Sequence, residues 1–266
     1  MKVPVYNVKG KRVGDAELPE QFDVTPRRDL IKKVVAASWK NRTQPYGSML
    51  RAGRMSSAVF RGTRRGYGHS YNWSVARLPR LMLRGGRRIG RVMNVPQAVG
   101  GPAAHPPKVE KLWRARINDK ERRLAIRSAL AASMDKDIVM SRGHRVPDAY
   151  PFLIAGDFEQ LSRTKEVVSA LEVLGLAPEL ERSSLRKQRA GKGKRRGRKY
   201  KKTKGPLVVV SGKCPLVKAA SNIPGVDVII VDQLNVASLA PGAHPGRLVL
   251  FTERAVEKLK KDRLFL

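Results

Sequence analysis

Cysteine occurs once among the 266 residues, at Cys214, so neither an intrachain disulfide nor a cysteine-based zinc site is available. A lone thiol fits a reducing compartment. Histidine occurs four times, at His69, His105, His144 and His244, scattered without the spacing of metal ligands. Aromatic residues make up 6%, too few for recognition that rests mainly on base stacking. Long apolar runs are missing: the longest, residues 226–231, is strand-sized, against the roughly 20 residues of a membrane span. The first six residues, MKVPVY, carry no signal-peptide core, so the expectation is a cytosolic protein with no membrane partner. Acid is scarce: 22 Asp and Glu stand against 55 Lys and Arg, a formal net charge of +33.

A small soluble domain usually carries a net charge of magnitude roughly 2–8. At +33 a folded chain repels itself unless a polyanion supplies counter-charge. The 41% of hydrophobic residues is enough for a core, so the chain is not simply a basic tail. The charge is uneven. Residues 42–111 hold 12 Arg and 2 Lys against one acid, Glu110. Residues 186–204 hold 12 Lys and Arg in 19 positions and no acid. The other 177 residues keep 29 basic and 21 acidic side chains, the balance of an ordinary globular domain.

Residues 42–111 also contain 10 Gly and 6 Pro, which break every stretch where a helix or strand could extend. A 70-residue segment of this kind far exceeds the roughly 15 residues of ordinary loops. Alone it is expected to be disordered, and to order against a polyanion. Its preference for Arg over Lys suits bidentate phosphate contact and stacking. Tyr46, Phe60, Tyr67, His69, Tyr71 and Trp73 add stacking faces, and glycine lets backbone approach a phosphodiester closely. Residues 186–204 are less specific: a phosphate clamp or a localisation signal.

Outside these segments the pattern alternates between strand and helix. Residues 3–8 and 12–16 predict a hairpin turning at Gly10. A helix follows, with Thr25 as N-cap, Pro26 at its first position and Leu30, Ile31, Val34 and Val35 on one face. A second helix is capped by Asn118, with Glu121 completing a capping box and Ile126, Ala129, Leu130 and Ser133 facing inward. Strands are predicted at 152–155, 207–210, 226–231 and 248–251, the second and third of them buried on both faces. Helices are predicted at 162–174 (ended by Gly175), at 214–220, and from Thr252 to the end, with a short turn at 235–239. The expected fold class is α/β: a mostly parallel four-stranded sheet in a three-layer α/β/α globular domain, with a long Arg/Gly/Pro-rich arm.

A doubly wound sheet invites a nucleotide site, but no motif supports one. Residues 208–214 (VVVSGKC) resemble the end of a phosphate-binding loop, yet Leu207 and Cys214 stand where a Gly and a Ser or Thr are required. Residues 66–71 (GYGHSY) begin like a dinucleotide fingerprint but lack its last Gly, a preceding strand and a following helix. Asp and Glu do not cluster as a magnesium site requires. Cys214, with His244 and Asp232 as possible neighbours, is the single arrangement resembling a nucleophile, and a buried thiol is the plainer reading. The expectation is no enzymatic activity.

Three stretches resemble a known family in order and spacing. Residues 77–80 (RLPR) and 95–108 (VPQAVGGPAAHPPK) are similar to the central signature of the universal ribosomal protein number four of the large subunit, the L-four family, in its archaeal–eukaryotic form. Residues 223–226 (IPGV) and 234–248 (LNVASLAPGAHPGRL) are similar to its C-terminal signature, and 190–194 (AGKGK) to its internal basic loop. The chain stops soon after its last helix, without the long eukaryotic tail, which points to the archaeal branch.

The resemblance implies a structural constituent of the large ribosomal subunit. It would bind large-subunit (23S-type) rRNA, aid subunit assembly and help line the constriction of the peptide exit tunnel. Residues 1–42 and 112–266 would form the globular domain, with the basic loop 186–204, and 43–111 the rRNA-penetrating arm. The residues expected to bind rRNA are Arg51, Arg54, Arg61, Arg64, Arg65, Arg77, Arg80, Arg84, Arg87, Arg88, Arg91, His105 and Lys108 in the arm. In the loop they are Arg189, Lys192, Lys194, Arg195, Arg196, Arg198 and Lys199. Arg64, Arg65, Gly66, Tyr67, Gly68 and His69 would form the arm's tip, and His105-Pro106-Pro107 would stiffen its return. Partners would be rRNA, neighbouring large-subunit proteins and the nascent polypeptide, with no homo-oligomer. No cofactor is implied, since magnesium would arrive only with the RNA. The alternative is a free-standing RNA- or DNA-binding protein, such as an RNA chaperone or chromatin factor.

Overall fold

The structure, a computed structural model, describes residues 1–66, 69, 71, 72, 74–81 and 90–266. Strands β1 (Lys2–Tyr6) and β2 (Arg12–Glu17) form the N-terminal hairpin, whose turn is held by the Asn7 side chain accepting from the N–H groups of Lys9 and Lys11. Helix α1 (Arg28–Arg42) follows. After the arm segment come α2 (Asp119–Met134), α3 (Lys136–Ser141), β3 (Leu153–Ile154), α4 (Thr164–Leu171) and α5 (Ala177–Ser184). Then come β4 (Arg186–Gln188), β5 (Tyr200–Lys202), β6 (Leu207–Val210), α6 (Pro215–Ala220) and β7 (Asp227–Ile230). The chain closes with α7 (Val236–Leu239), β8 (Val249–Thr252) and α8 (Glu253–Lys261). It divides into two compact units: residues 1–40 with 115–266, and residues 41–114.

In the first unit a six-stranded sheet runs in the order β2-β1-β3-β8-β6-β7, parallel except for the β1–β2 hairpin. The period-2 alternation of a strand explains why its central members are apolar at every position. Leu153, Leu207, Val209, Val249 and Phe251 point to one face, where α1, α2, α7 and α8 pack. Ile154, Val208, Val210, Leu248 and Leu250 point to the other, against α4 and α6. Both faces are therefore covered, giving the three α/β/α layers.

The structure departs from the sequence reading at several places, each with a physical cause. The sheet has six strands rather than four, because β1 pairs in parallel with β3 and brings its hairpin with it. Strand β7 is half-buried rather than buried, because it lies at the sheet edge. Helix α1 starts at Arg28, not Pro26. Buried Ser128 of α2 serves the start instead, its Oγ accepting from the Arg27 N–H and donating to the Thr25 carbonyl at 3.4 Å. No side-chain cap forms at Asn118, and Glu121 pairs with Lys33 of α1 at 2.8 Å instead of closing a capping box. Gly175 (φ +80°) breaks the helix as expected, but the chain resumes at once as α5. At the far end Thr252 caps α8, accepting from the Ala255 N–H.

Replacing Ser128 by Ala removes the side-chain acceptor of the Arg27 amide at the start of α1. It should lower stability by about 1–2 kcal/mol. Hydrogen exchange should show the first-turn amides of α1 losing protection more than those of α2.

Candidate nucleic-acid interface

Among the described residues of the second unit no helix or named strand follows Arg42, and only isolated bridges join Val59 to Arg80 and Arg80 to Val92. Order comes from two passes of chain lying close together. The Ser48 N–H and Oγ both donate to the Pro107 carbonyl, at 3.0 and 3.2 Å. Asn94 accepts from Ser56 Oγ at 2.7 Å and donates to the Ala58 carbonyl at 2.9 Å. Glycine is required where the passes nearly touch. At Gly53 (φ +78°) a Cβ would stand 2.6 Å from the Pro102 nitrogen, and at Gly101 one would stand 1.9 Å from the Val95 oxygen.

This packing sorts the arginines. Arg51, Arg54, Arg61, Arg64, Arg65, Arg77 and Arg91 are exposed, as are His105 and Lys108. Arg64 and Arg77 converge on one ring: their guanidinium carbons lie 5.9 and 4.7 Å from the centre of Tyr71. Arg80 is different. Its guanidinium donates to the carbonyls of Gly90 (2.8 Å) and Ala76 (3.0 Å), so its fork is used to hold the segment itself. Of the expected tip, Arg64, Arg65, Gly66 and His69 are described. Tyr67 and Gly68 lie outside the described residues, as do Arg84, Arg87, Arg88 and the ring of Trp73. At the return, Pro106 and Pro107 line a hollow with Tyr46 and His105, and Tyr46 packs on Trp113 with ring centres 4.6 Å apart.

In the first unit, residues 186–202 form an antiparallel hairpin where the sequence pattern predicts a loop. Strands β4 and β5 place Arg186 opposite Lys202 and Lys187 opposite Lys201. Like charges directly opposite each other destabilise a strand pair. Between the strands, a 3-10 turn at Lys192–Arg196 ends at Gly197, whose φ of +76° is left-handed. Arg189, Lys192, Lys194, Arg195, Arg196, Arg198 and Lys199 are all exposed. The Tyr200 ring takes Arg186 at 5.0 Å and Lys199 at 5.4 Å. Tyr200 is an interface candidate that the charge count alone does not find; its flanking cations were the available signal.

The hairpin's root is fixed by buried polar groups. Glu179 of α5 is fully buried and meets His144 Nδ1 at 2.6 Å, the Arg145 N–H at 2.9 Å and Arg182 Nη2 at 2.6 Å. Burial alone would raise its carboxyl. The hydrogen bonds from Arg182, His144 and Arg145 outweigh burial and bring it down to about 2. Burial holds His144 below its ordinary value, against the pull of Glu179. Arg182 also donates to the Lys204 carbonyl at 2.7 Å, just past the hairpin. Lys204 and buried Arg247 both reach Asp227, at 2.8 and 2.6 Å.

The turn after β6 that resembles a phosphate loop already holds an anion. Buried Glu159 accepts from the Ser211 N–H (2.9 Å), Ser211 Oγ (2.8 Å) and Thr252 Oγ1 (2.6 Å), where a phosphate would need those donors. Cys214 packs at the edge of the core on the α4–α6 side, and burial raises its thiol above the ordinary value, so it is not an activated thiolate. Among the described residues no group of three or more His, Cys, Asp or Glu could hold a metal, and no helix is long and apolar enough to cross a membrane.

A profile of the ribosomal protein L4/L1 family matches residues 16–262. The chain belongs to this family. It is 47% identical to "Large ribosomal subunit protein uL4" of Nanoarchaeum equitans, over all of both chains. It is 46% identical to the protein of that name from Methanospirillum hungatei, over 97% of this chain and 98% of the relative. The corresponding protein of Archaeoglobus fulgidus is 44% identical over 97% of this chain and 98% of its own. As a member of the L4/L1 family the protein is a structural ribosomal constituent and not an enzyme, and it belongs to the cytoplasmic ribosome.

Glu179→Gln removes the charge that balances Arg182 beneath the basic hairpin. It should cost about 3 kcal/mol in thermal unfolding at neutral pH. Because the native carboxyl titrates below the unfolded one, its contribution is present above about pH 4.5 and fades as pH falls toward 2. The wild-type and variant stabilities should therefore converge across that window.

Proposed function

We propose that this L4/L1-family protein is a structural component of the large ribosomal subunit that binds large-subunit rRNA through two cationic elements: the arm at 43–111 and the basic hairpin at 186–204. The globular residues, 1–42 and 112–266, orient both. The observation carrying the reading is the lack of counter-charge where the cations are exposed. The 12 arginines of residues 42–111 share one acid, and β4 and β5 pair cation against cation. Such elements are stable when phosphates lie between and around them.

In this reading the exposed arm arginines grip phosphates where RNA helices converge and would otherwise repel each other. Arg64 and Arg77, held against Tyr71, present their donors at a fixed place, and Arg80 braces the backbone behind them. Binding releases condensed counterions, so affinity falls steeply with salt. Arm and RNA order together, which makes the protein an aid to subunit assembly. The arm's end, around residues 64–69, would help line the constriction of the peptide exit tunnel and meet the nascent chain. The family's place in the ribosome and the protein's charge map support this over a free-standing RNA- or DNA-binding role, which sedimentation with the large subunit through a moderate salt wash would also separate.

Changing Arg51, Arg54 and Arg91 together to Gln should flatten the slope of log affinity for large-subunit rRNA against log salt by about 2 to 2.7. An unchanged slope would count against phosphate contact by the arm. In RNA-free protein, limited proteolysis should cut first within 43–111, and added rRNA should protect those sites; an arm equally resistant without RNA would contradict ordering on binding.

A further inference from the structure

The six-stranded sheet ends on β2, and β2 is its open side. Every residue of the strand but Ala16 is exposed, and Val13 shows 66% of its surface. The opposite edge, β7, is half-buried along its length. Register decides which backbone groups β2 leaves over. The Leu18 N–H donates to the Met1 carbonyl at 3.0 Å, and bonded and non-bonded pairs alternate along an antiparallel ladder. Val3–Ala16 and Val5–Gly14 are therefore bonded pairs, and Lys2–Glu17 and Pro4–Asp15 are not. Pro4 fits this, since it has no N–H to give. The N–H and C=O groups of Asp15 and Glu17 thus point away from the sheet, and among the described residues no further strand takes them.

An exposed edge of this kind invites another chain, and proteins usually blunt it with lysine or proline. Residues 13–17 contain neither. They begin instead a stretch of unusual charge for this protein: residues 13–26 hold Asp15, Glu17, Glu20 and Asp23 and no Lys or Arg. All four acids are exposed. Asp15 pairs with Arg12 at 2.5 Å, whereas Glu17, Glu20 and Asp23 enter no ion pair among the described residues. An RNA backbone is repelled by such an edge and lacks the strand spacing that pairs with its donors and acceptors. An extended peptide has that spacing, and a cationic one also matches the charge.

We infer that β2 is a docking edge for an extended, Lys/Arg-rich segment of a neighbouring large-subunit protein, which adds to the sheet as a seventh strand. The inference rests on the ribosomal reading above and assigns this face to protein. The segment's main chain would pair with Asp15 and Glu17, and its cations would lie beside their side chains, as opposite charges do on neighbouring strands. With two residues offering outward groups the contact is weak alone, and it serves to set the mutual orientation of two proteins already held in one particle.

The test compares three states of the full chain: free, bound to large-subunit rRNA alone, and within purified large subunits. Hydrogen exchange should find the amides of Asp15 and Glu17 unprotected in the first two states and protected in the third. Carbodiimide treatment of the subunits should join the carboxylate of Asp15 or Glu17 to a lysine of another protein. Asp15→Lys with Glu17→Lys should abolish the protection while the variant still enters the subunit. Asp15→Asn and Asp15→Pro separate backbone from charge. Both lose one carboxylate, the second alone loses the outward N–H, and the second alone should lose the protection at Glu17. Equal protection in the two would reduce the contact to side chains and overturn strand addition. Protection by rRNA alone would put RNA at this edge, and protection that grows with concentration in the free protein would mean that two copies pair. An edge unprotected in subunits, or linked to no other protein, would be without an occupant. Each of these results overturns the docking edge and leaves the ribosomal reading standing. Failure of the wild-type chain to enter large subunits would overturn the ribosomal reading itself.

Discussion

Repulsion among like charges is the constraint that organises this protein. A formal +33 on 266 residues cannot be spread over one compact surface without opposing its own folding. The chain concentrates the excess in two segments, and outside them 29 basic side chains stand against 21 acidic ones. Where cations are unmatched, as along the arm and across β4 and β5, the backbone carries little regular structure or pairs against electrostatic cost. These segments lack counter-charge of their own: residues 42–111 and 186–204 together hold one acid.

The sheet domain makes that arrangement stable. Its central strands are covered on both faces, so the core does not depend on the charged segments for burial. The basic hairpin leaves the domain from a root of polar pairs: buried Glu179 with Arg182 and hydrogen-bonded to His144 at one side, half-buried Asp227 with Arg247 and Lys204 at the other. Both acids are held ionised against burial by their partners. The result is a strongly cationic element with a stiff base, and stiffness at the base keeps its cations from dispersing.

The parts of this protein whose signals are local are legible in the sequence. Apolar runs at 207–210 and 248–251, the Thr252 cap, and the concentration of charge in two segments are all visible along the chain. Features that depend on distant residues were not. Ser128 serves a helix start about a hundred positions earlier, and Glu121 is drawn from its own helix end by Lys33. The parallel pairing of β1 with β3 spans a similar distance. Charge counting along the chain also treats the arginines as equivalent. Arg80, turned inward onto two carbonyls, and Tyr200, an uncharged residue among cations, show where composition stops and geometry begins.

Glu159 has a bearing on life in a crowded cell. Open parallel sheets tend to acquire ligands where a strand turns into a helix, and the donors at Ser211 are of the kind that would welcome a free nucleotide. With its own carboxylate seated on them, the sheet domain is closed to that traffic. A nucleotide phosphate would have to displace that carboxylate to use the Ser211 N–H and Oγ.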